Sequence, residues 1–159
     1  QNKNVLMTKL FKLYYLFSFA LFSISSFALD LTVEIKKIKK YEAKIMLELF
    51  LLNDQKKQNW QSVQSIQKHV VVLTAENPKI KFSRLNKGMY AVRLFQDLNN
   101  NGLLDKSSSN IPLEPVGFST NPSLFKGEPS PEDSVIELIN DRSISIILKQ
   151  RKSKRKKRR

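Results

Sequence analysis

Gly88 to Asp105 reads G-M-Y-A-V-R-L-F-Q-D-L-N-N-N-G-L-L-D. Its first half, Met89 to Phe95, is rich in aromatic and β-branched residues and predicts a strand. Its second half is D-x-N-x-N-G-x-x-D, which gathers side-chain oxygens around one point. A strong strand that feeds an oxygen-rich loop predicts a β-domain with a candidate calcium site.

Further strands follow on both sides. Leu31 to Ile38, L-T-V-E-I-K-K-I, places Leu31, Val33 and Ile35 on one face and Thr32, Glu34 and Lys36 on the other. Lys44 to Leu52, K-I-M-L-E-L-F-L-L, suits a buried strand better than a short helix. Asn53 to Lys68 is polar and Gln-rich, with apolar points at Trp60, Val63 and Ile66. That spacing fits either one helical turn or a loop anchored by Trp60. His69 to Thr74 and Ile80 to Leu85 read as strands. So do Val135 to Ile139 and Ser143 to Leu148, joined by a turn at Asn140-Asp141.

Between them, five of the six prolines lie from Pro112 to Pro131, and all four glycines from Gly88 to Gly127. This stretch reads as a long ordered loop. About seven strands and no clear long helix predict an all-β fold, an immunoglobulin-like or transthyretin-like β-sandwich with a long Pro/Gly-containing loop.

Composition divides the chain into three parts. Of its 159 residues, 28 are Lys or Arg and 14 are Asp or Glu, a net +14. Every acid lies between Asp30 and Asp141, and Arg151 to Arg159 carries eight basic residues. Lys3, Lys9 and Lys12 are basic as well, so the middle is nearly balanced. The expected organisation is an N-terminal extension and signal peptide over 1–28, a β-sandwich over 29–149 and a basic tail over 150–159.

Met7 reads as the natural start. Lys9 and Lys12 precede an apolar run from Leu13 to Phe22, and Ser26 and Ala28 fit a small-residue cleavage site. This order predicts cleavage after Ala28 and a secreted, periplasmic or extracellular protein. A retained membrane anchor is the alternative, although the run is short for a span of about 20 residues. The chain has no Cys, so an exported domain would stand without disulfides.

Three segments resemble domain of unknown function family 2141, a family of exported bacterial proteins. They are Leu85 to Ala91 (L-N-K-G-M-Y-A), Asp97 to Asp105, and Ile111 to Ser119 (I-P-L-E-P-V-G-F-S) with Gly127 to Asp133 (G-E-P-S-P-E-D). This chain has Pro131 where the family usually has an aromatic residue. The resemblance implies a sandwich outside the cytoplasm and brings no activity with it. The residues themselves agree with that architecture. L-x-x-G-x-Y suits a Greek-key corner in which the Tyr90 hydroxyl bonds nearby backbone and Gly88 takes the tight turn. Val92 and Leu94 would point inward with Tyr90.

The calcium candidates are Asp97, Asn99, Asn101 and Asp105, at positions 1, 3, 5 and 9 of a calcium loop, with Gly102 at position 6. Ser108 stands at position 12 instead of a bidentate Glu, and no helix is expected on either side. Glu114 is a distant carboxylate that could complete the set. The alternative is an Asn-rich turn whose side chains bond their own backbone.

His69 is the only histidine and reads as the polar start of a strand. No Ser lies in a nucleophile-elbow pattern, and no G-x-G-x-x-G or P-loop is present. Glu114, Glu128, Glu132 and Asp133 leave a hydrolase with loop carboxylates as an alternative class. The favoured reading is a non-enzymatic binding or structural component of the cell envelope, meeting an envelope protein or polysaccharide. A calcium-dependent carbohydrate- or protein-binding module is the alternative within that class. The basic tail would contact anionic surfaces or remain solvated. An export signal and the lack of tail aromatics count against nucleic acid.

Overall fold

The computed structural model describes residues 28–53, 59–72, 78–109 and 111–150. The expected signal segment up to Phe27, the basic tail from Arg151, and the expected strand end Leu73–Thr74 lie outside the described residues.

Among the described residues, eight strands form two sheets. They are β1 (Leu29–Lys36), β2 (Lys44–Leu52), β3 (Ser65–Val72), β4 (Lys79–Leu85), β5 (Gly88–Asp97), β6 (Val116–Phe118), β7 (Val135–Leu138) and β8 (Arg142–Ile147). The smaller sheet has the order β4-β1-β8, and the larger runs β3-β2-β5-β6, with β7 also pairing β5. β1 and β4 are antiparallel, whereas β1 and β8 are parallel. The eighth strand is β6, three residues inside the segment read as loop. Its V-G-F run pairs Phe95 with Val116 and Arg93 with Phe118.

Alternation places the core between the sheets. Leu31, Val33 and Ile35 of β1 are fully buried and meet Ile45, Leu47 and Leu49 of β2 and Tyr90, Val92 and Leu94 of β5. The Tyr90 hydroxyl donates to the Asn86 carbonyl at 2.8 Å, which closes the corner as expected. Gly88 does not take the tight turn. It is the first residue of β5, and the left-handed residue nearby is Arg84, with φ 60°.

β5 is also covered on its other face. Phe50 and Leu52 of β2, Ala91 and Phe95 of β5, and Val116 and Phe118 of β6 form a second apolar cluster with Trp60 and Val63. Residues two apart share a face, so this cluster backs onto the first through the larger sheet. The Pro-rich segment lies over it, with Leu104, Leu124 and Val135 packed against it.

Trp60 therefore anchors a loop, not a helix. Its turn is held by Asn59, whose Oδ1 accepts from the Gln61 and Ser62 amides at 3.1 and 2.8 Å. His69 does not start a strand but sits in the middle of β3, its ring 4.9 Å from that of Phe82. Pro131 opens a short 3-10 turn, Glu132–Ser134, and its carbonyl accepts from the Ser134 amide at 3.0 Å.

Gly117 lies where β6 meets the smaller sheet. A Cβ there would stand 2.6 Å from Ile146 Cγ2 and 3.2 Å from Leu94 Cδ1. Both neighbours are fully buried, so the close approach of the sheets requires glycine.

Candidate functional site

β5 ends in the core at Asp97, and the chain then turns out to solvent. Asp97 is fully buried, which is costly for a carboxylate without partners. Its partners are the backbone of its own loop. Oδ1 accepts from the Asn101 amide at 3.2 Å and Oδ2 from the Gly102 amide at 2.8 Å. Asn100 and Gly102 adopt left-handed backbone, with φ of 62° and 76°. That curls the chain back over Asp97, the turn expected of Gly102.

The next side chains continue the ladder. Asn99 Oδ1 accepts from the Asn101 amide at 3.2 Å, and Asn101 Oδ1 from the Leu103 amide at 2.8 Å. Both Asn side chains donate to Asp105, Asn99 Nδ2 at 2.7 Å and Asn101 Nδ2 at 3.2 and 3.3 Å. Asp97, Asn99, Asn101 and Asp105 thus belong to one compact loop.

Glu114 joins them. It is buried, its Oε1 accepts from the Leu98 amide at 2.8 Å, and its Oε2 accepts from the Asp105 amide at 3.2 Å. One carboxylate therefore clamps both ends of the Asn-rich turn, from nine residues beyond Asp105. Among the described residues no three His, Cys, Asp or Glu side chains form a group with metal-binding geometry. The loop shown here is closed by amide and backbone donors. A hard cation on it would exchange the Asn–Asp105 bonds for oxygen ligands.

Gln96, beside Asp97, is fully buried and ties in another loop. Its Oε1 accepts from the Lys39 amide at 3.0 Å, and its Nε2 donates to the Lys40 carbonyl.

A second polar cluster lies on the outer face of the larger sheet. Arg93 donates to Glu48 at 2.7 Å and to Glu128 at 3.5 Å, and Lys106 reaches Glu128 at 2.5 Å. The Arg93 guanidinium stands 5.1 Å from the Trp60 ring and 5.5 Å from that of Phe50. Trp60 Nε1 donates to the Pro129 carbonyl at 2.7 Å. Burial works to raise the Glu48 carboxyl, but hydrogen bonds from Lys68 and Arg93 outweigh it and hold the group below its ordinary value. These contacts fasten residues 124–131 to the sheet and, through Lys106, to the Asp97 loop.

Two adjoining hollows of about 390 and 310 Å³ open there, sharing Lys126, Gly127, Glu128 and Pro129. Phe125, 83% exposed, borders the larger, and Trp60 and Ser109 border the other. Glu128 and Asp133 also line the larger hollow. Both are engaged, Glu128 by Arg93 and Lys106, and Asp133 by the Ser130 amide and hydroxyl.

Residues 33–146 match a family described as an uncharacterized protein conserved in bacteria, DUF2141. The chain belongs to this family. The match spans both sheets, the Asp97 loop and the Pro-rich cover, so the features described above lie within the DUF2141 domain. No curated protein and no solved structure matches the chain.

Sequence reasoning named Glu114 as a carboxylate for the Asp97 loop and Trp60 as a loop anchor, but it missed the backbone clamp that Glu114 makes, the Gln96 tie, and the pairing of Arg93 with Glu128 beside Trp60 in this DUF2141 domain. One signal was legible. Arg93 alternates with Ala91 and Phe95 on β5, the face opposite Tyr90, Val92 and Leu94, and an Arg at the centre of so apolar a strand requires buried partners.

Proposed function

We propose that this chain is an exported, non-catalytic binding module of the bacterial cell envelope, with an immunoglobulin-like or transthyretin-like sandwich and a loop held by calcium. The observation that carries the reading is the gathering of Asp97, Asn99, Asn101, Asp105 and Glu114 on one loop, which the Lys106–Glu128 pair ties to the separate segment that bears Phe125. Rotating the two Asn amides would turn oxygens toward Asp105, and loop carbonyls and water would complete a hard-cation shell. With few carboxylates, affinity belongs in the roughly 10⁻⁴–10⁻³ M range of extracellular modules.

The exposed ring of Phe125, beside hollows of ligand size, favours a polysaccharide as the envelope ligand. An aromatic face with amide and hydroxyl neighbours suits a sugar, which offers C–H faces and hydroxyls together.

Thermal unfolding in calcium and in chelator tests the calcium part. With a dissociation constant near 10⁻⁴ M, about 10 mM calcium should add roughly 2.7 kcal/mol. Asp105→Asn should remove that increment and change the melting temperature in chelator little. Asp97→Ala is the poorer variant, because it strands two backbone amides whether or not calcium is present. Equal melting temperatures in calcium and chelator would reduce the loop to an Asn-rich turn.

A further inference from the structure

The sandwich protects its strand edges unevenly. On β8 the Asn121 side chain acts as a short substitute strand. Its Nδ2 donates to the Ser145 carbonyl and its Oδ1 accepts from the Ile147 amide, both at 2.7 Å. β6 is extended by a bridge between Val116 and Lys149. β4, K-I-K-F-S-R-L, carries Lys79, Lys81 and Arg84, the charged residues that keep a free edge from pairing.

β3 has weaker protection. S-I-Q-K-H-V-V-V has one charged residue, Lys68, and ends in three consecutive valines. It pairs only with β2 among the described residues. Ile66, Val70 and Val72 stand on its outward face and are exposed, Val70 at 58%. A bulge lies at the Ile66 end, and from Gln67 to Val72 the pairing with β2 is regular.

We propose that β3 is a self-association edge, at which a second copy of this chain pairs antiparallel about a two-fold axis through His69. The face pattern selects the register. Even-numbered residues from Ile66 to Val72 point outward, and Gln67, His69 and Val71 point toward the core. Matching faces across a two-fold axis requires that the axis pass through a residue. An axis at Lys68 sets two lysines opposite each other, which is unfavourable. An axis at Val70 leaves Ile66 and Gln67 without partners inside the strand. An axis at His69 pairs Ile66 with Val72 and Lys68 with Val70 of the second copy. Ile66 and Val72 then cover each other, and the aliphatic stem of Lys68 lies along Val70. Lys68 keeps its own Glu48, 2.8 Å away, and no like charges face each other. The two larger sheets become one continuous sheet.

Sedimentation equilibrium of the full chain over a concentration series tests this. Physiological salt, about 150 mM, screens repulsion between the basic ends. A reversible monomer–dimer equilibrium is expected. Val70→Lys would face Lys68 across the axis twice and should weaken the dimer by roughly tenfold or more. Val70→Thr, which keeps β-propensity, should remain dimeric. Because Val70 is exposed, both variants should melt like the wild type at dilutions where all three are monomeric, and circular dichroism checks that each is folded. A protein that stays monomeric up to its solubility limit would overturn the proposal. So would a dimer that a folded Val70→Lys variant leaves unchanged.

Discussion

The two apolar layers of this domain differ in how they are closed. The inner layer lies between the sheets and is built almost wholly of aliphatic side chains from regular strands, such as Leu31, Val33, Leu47 and Leu94. The outer layer, on the other face of the larger sheet, is closed by loops around Trp60, Phe50 and Phe118 and contains ion-paired Arg93 and Glu128. Strand pairing fixes the inner layer over its whole length. The outer layer depends on a few directed bonds, from Trp60 to Pro129, from Arg93 to Glu48 and Glu128, and from Glu114 to the Asp97 loop. Sandwich stability therefore belongs to the inner layer. The outer layer positions the loop with the candidate ligand surface.

Truncating one residue in each layer should separate them. Leu94→Ala removes a fully buried side chain from the sheet interface and should lower the unfolding free energy by about 2–5 kcal/mol in denaturant titration. Trp60→Ala should cost less globally, about 1–3 kcal/mol, because the loop cover can open by itself. Limited proteolysis should then cut between Thr120 and Pro131 in Trp60→Ala while β1, β2 and β5 survive. Simultaneous loss of both layers would show one cooperative unit.

An effect no larger is expected where the layers meet at β6. Gly117→Ala pushes a methyl group into Ile146 and Leu94 and should destabilise by about 1–3 kcal/mol. The damage should register in the inner layer, because the methyl group enters the sheet interface. The smallest effect is acid dependence of the outer layer. The folded pKa of Glu48 is held below its ordinary value, so its contribution is present above that value and is lost as pH falls through the folded pKa. Stability should depend less steeply on pH in Glu48→Gln, measured below about pH 4.5.

The inner layer was legible because period two at Leu31, Val33 and Ile35 reports a half-buried strand directly. Tyr90 and Gly102 were legible for a similar reason, since each has a local role that depends on near neighbours. The outer layer was not. Trp60 finds Pro129 across 69 residues of chain, and Glu114 reaches back to Leu98 across 16. Such bonds leave no periodic trace. β6 hid among prolines because three residues are too few for an alternation to show. His69 was misplaced because β3 begins in a Gln-rich stretch where pairing with β2, not propensity, makes the strand.

Residue-resolved amide hydrogen exchange, in calcium and in chelator, tests the central claim most directly: that the Asp97–Glu114 knot orders a cover distinct from the sandwich. The account predicts high protection in β1, β2 and β5 in both buffers. In calcium, exchange should slow at Leu98, Asn101, Gly102 and Asp105 and, through the Lys106–Glu128 pair, across residues 124–131. Exchange that is identical in the two buffers, or that changes equally in both sheets, would contradict it.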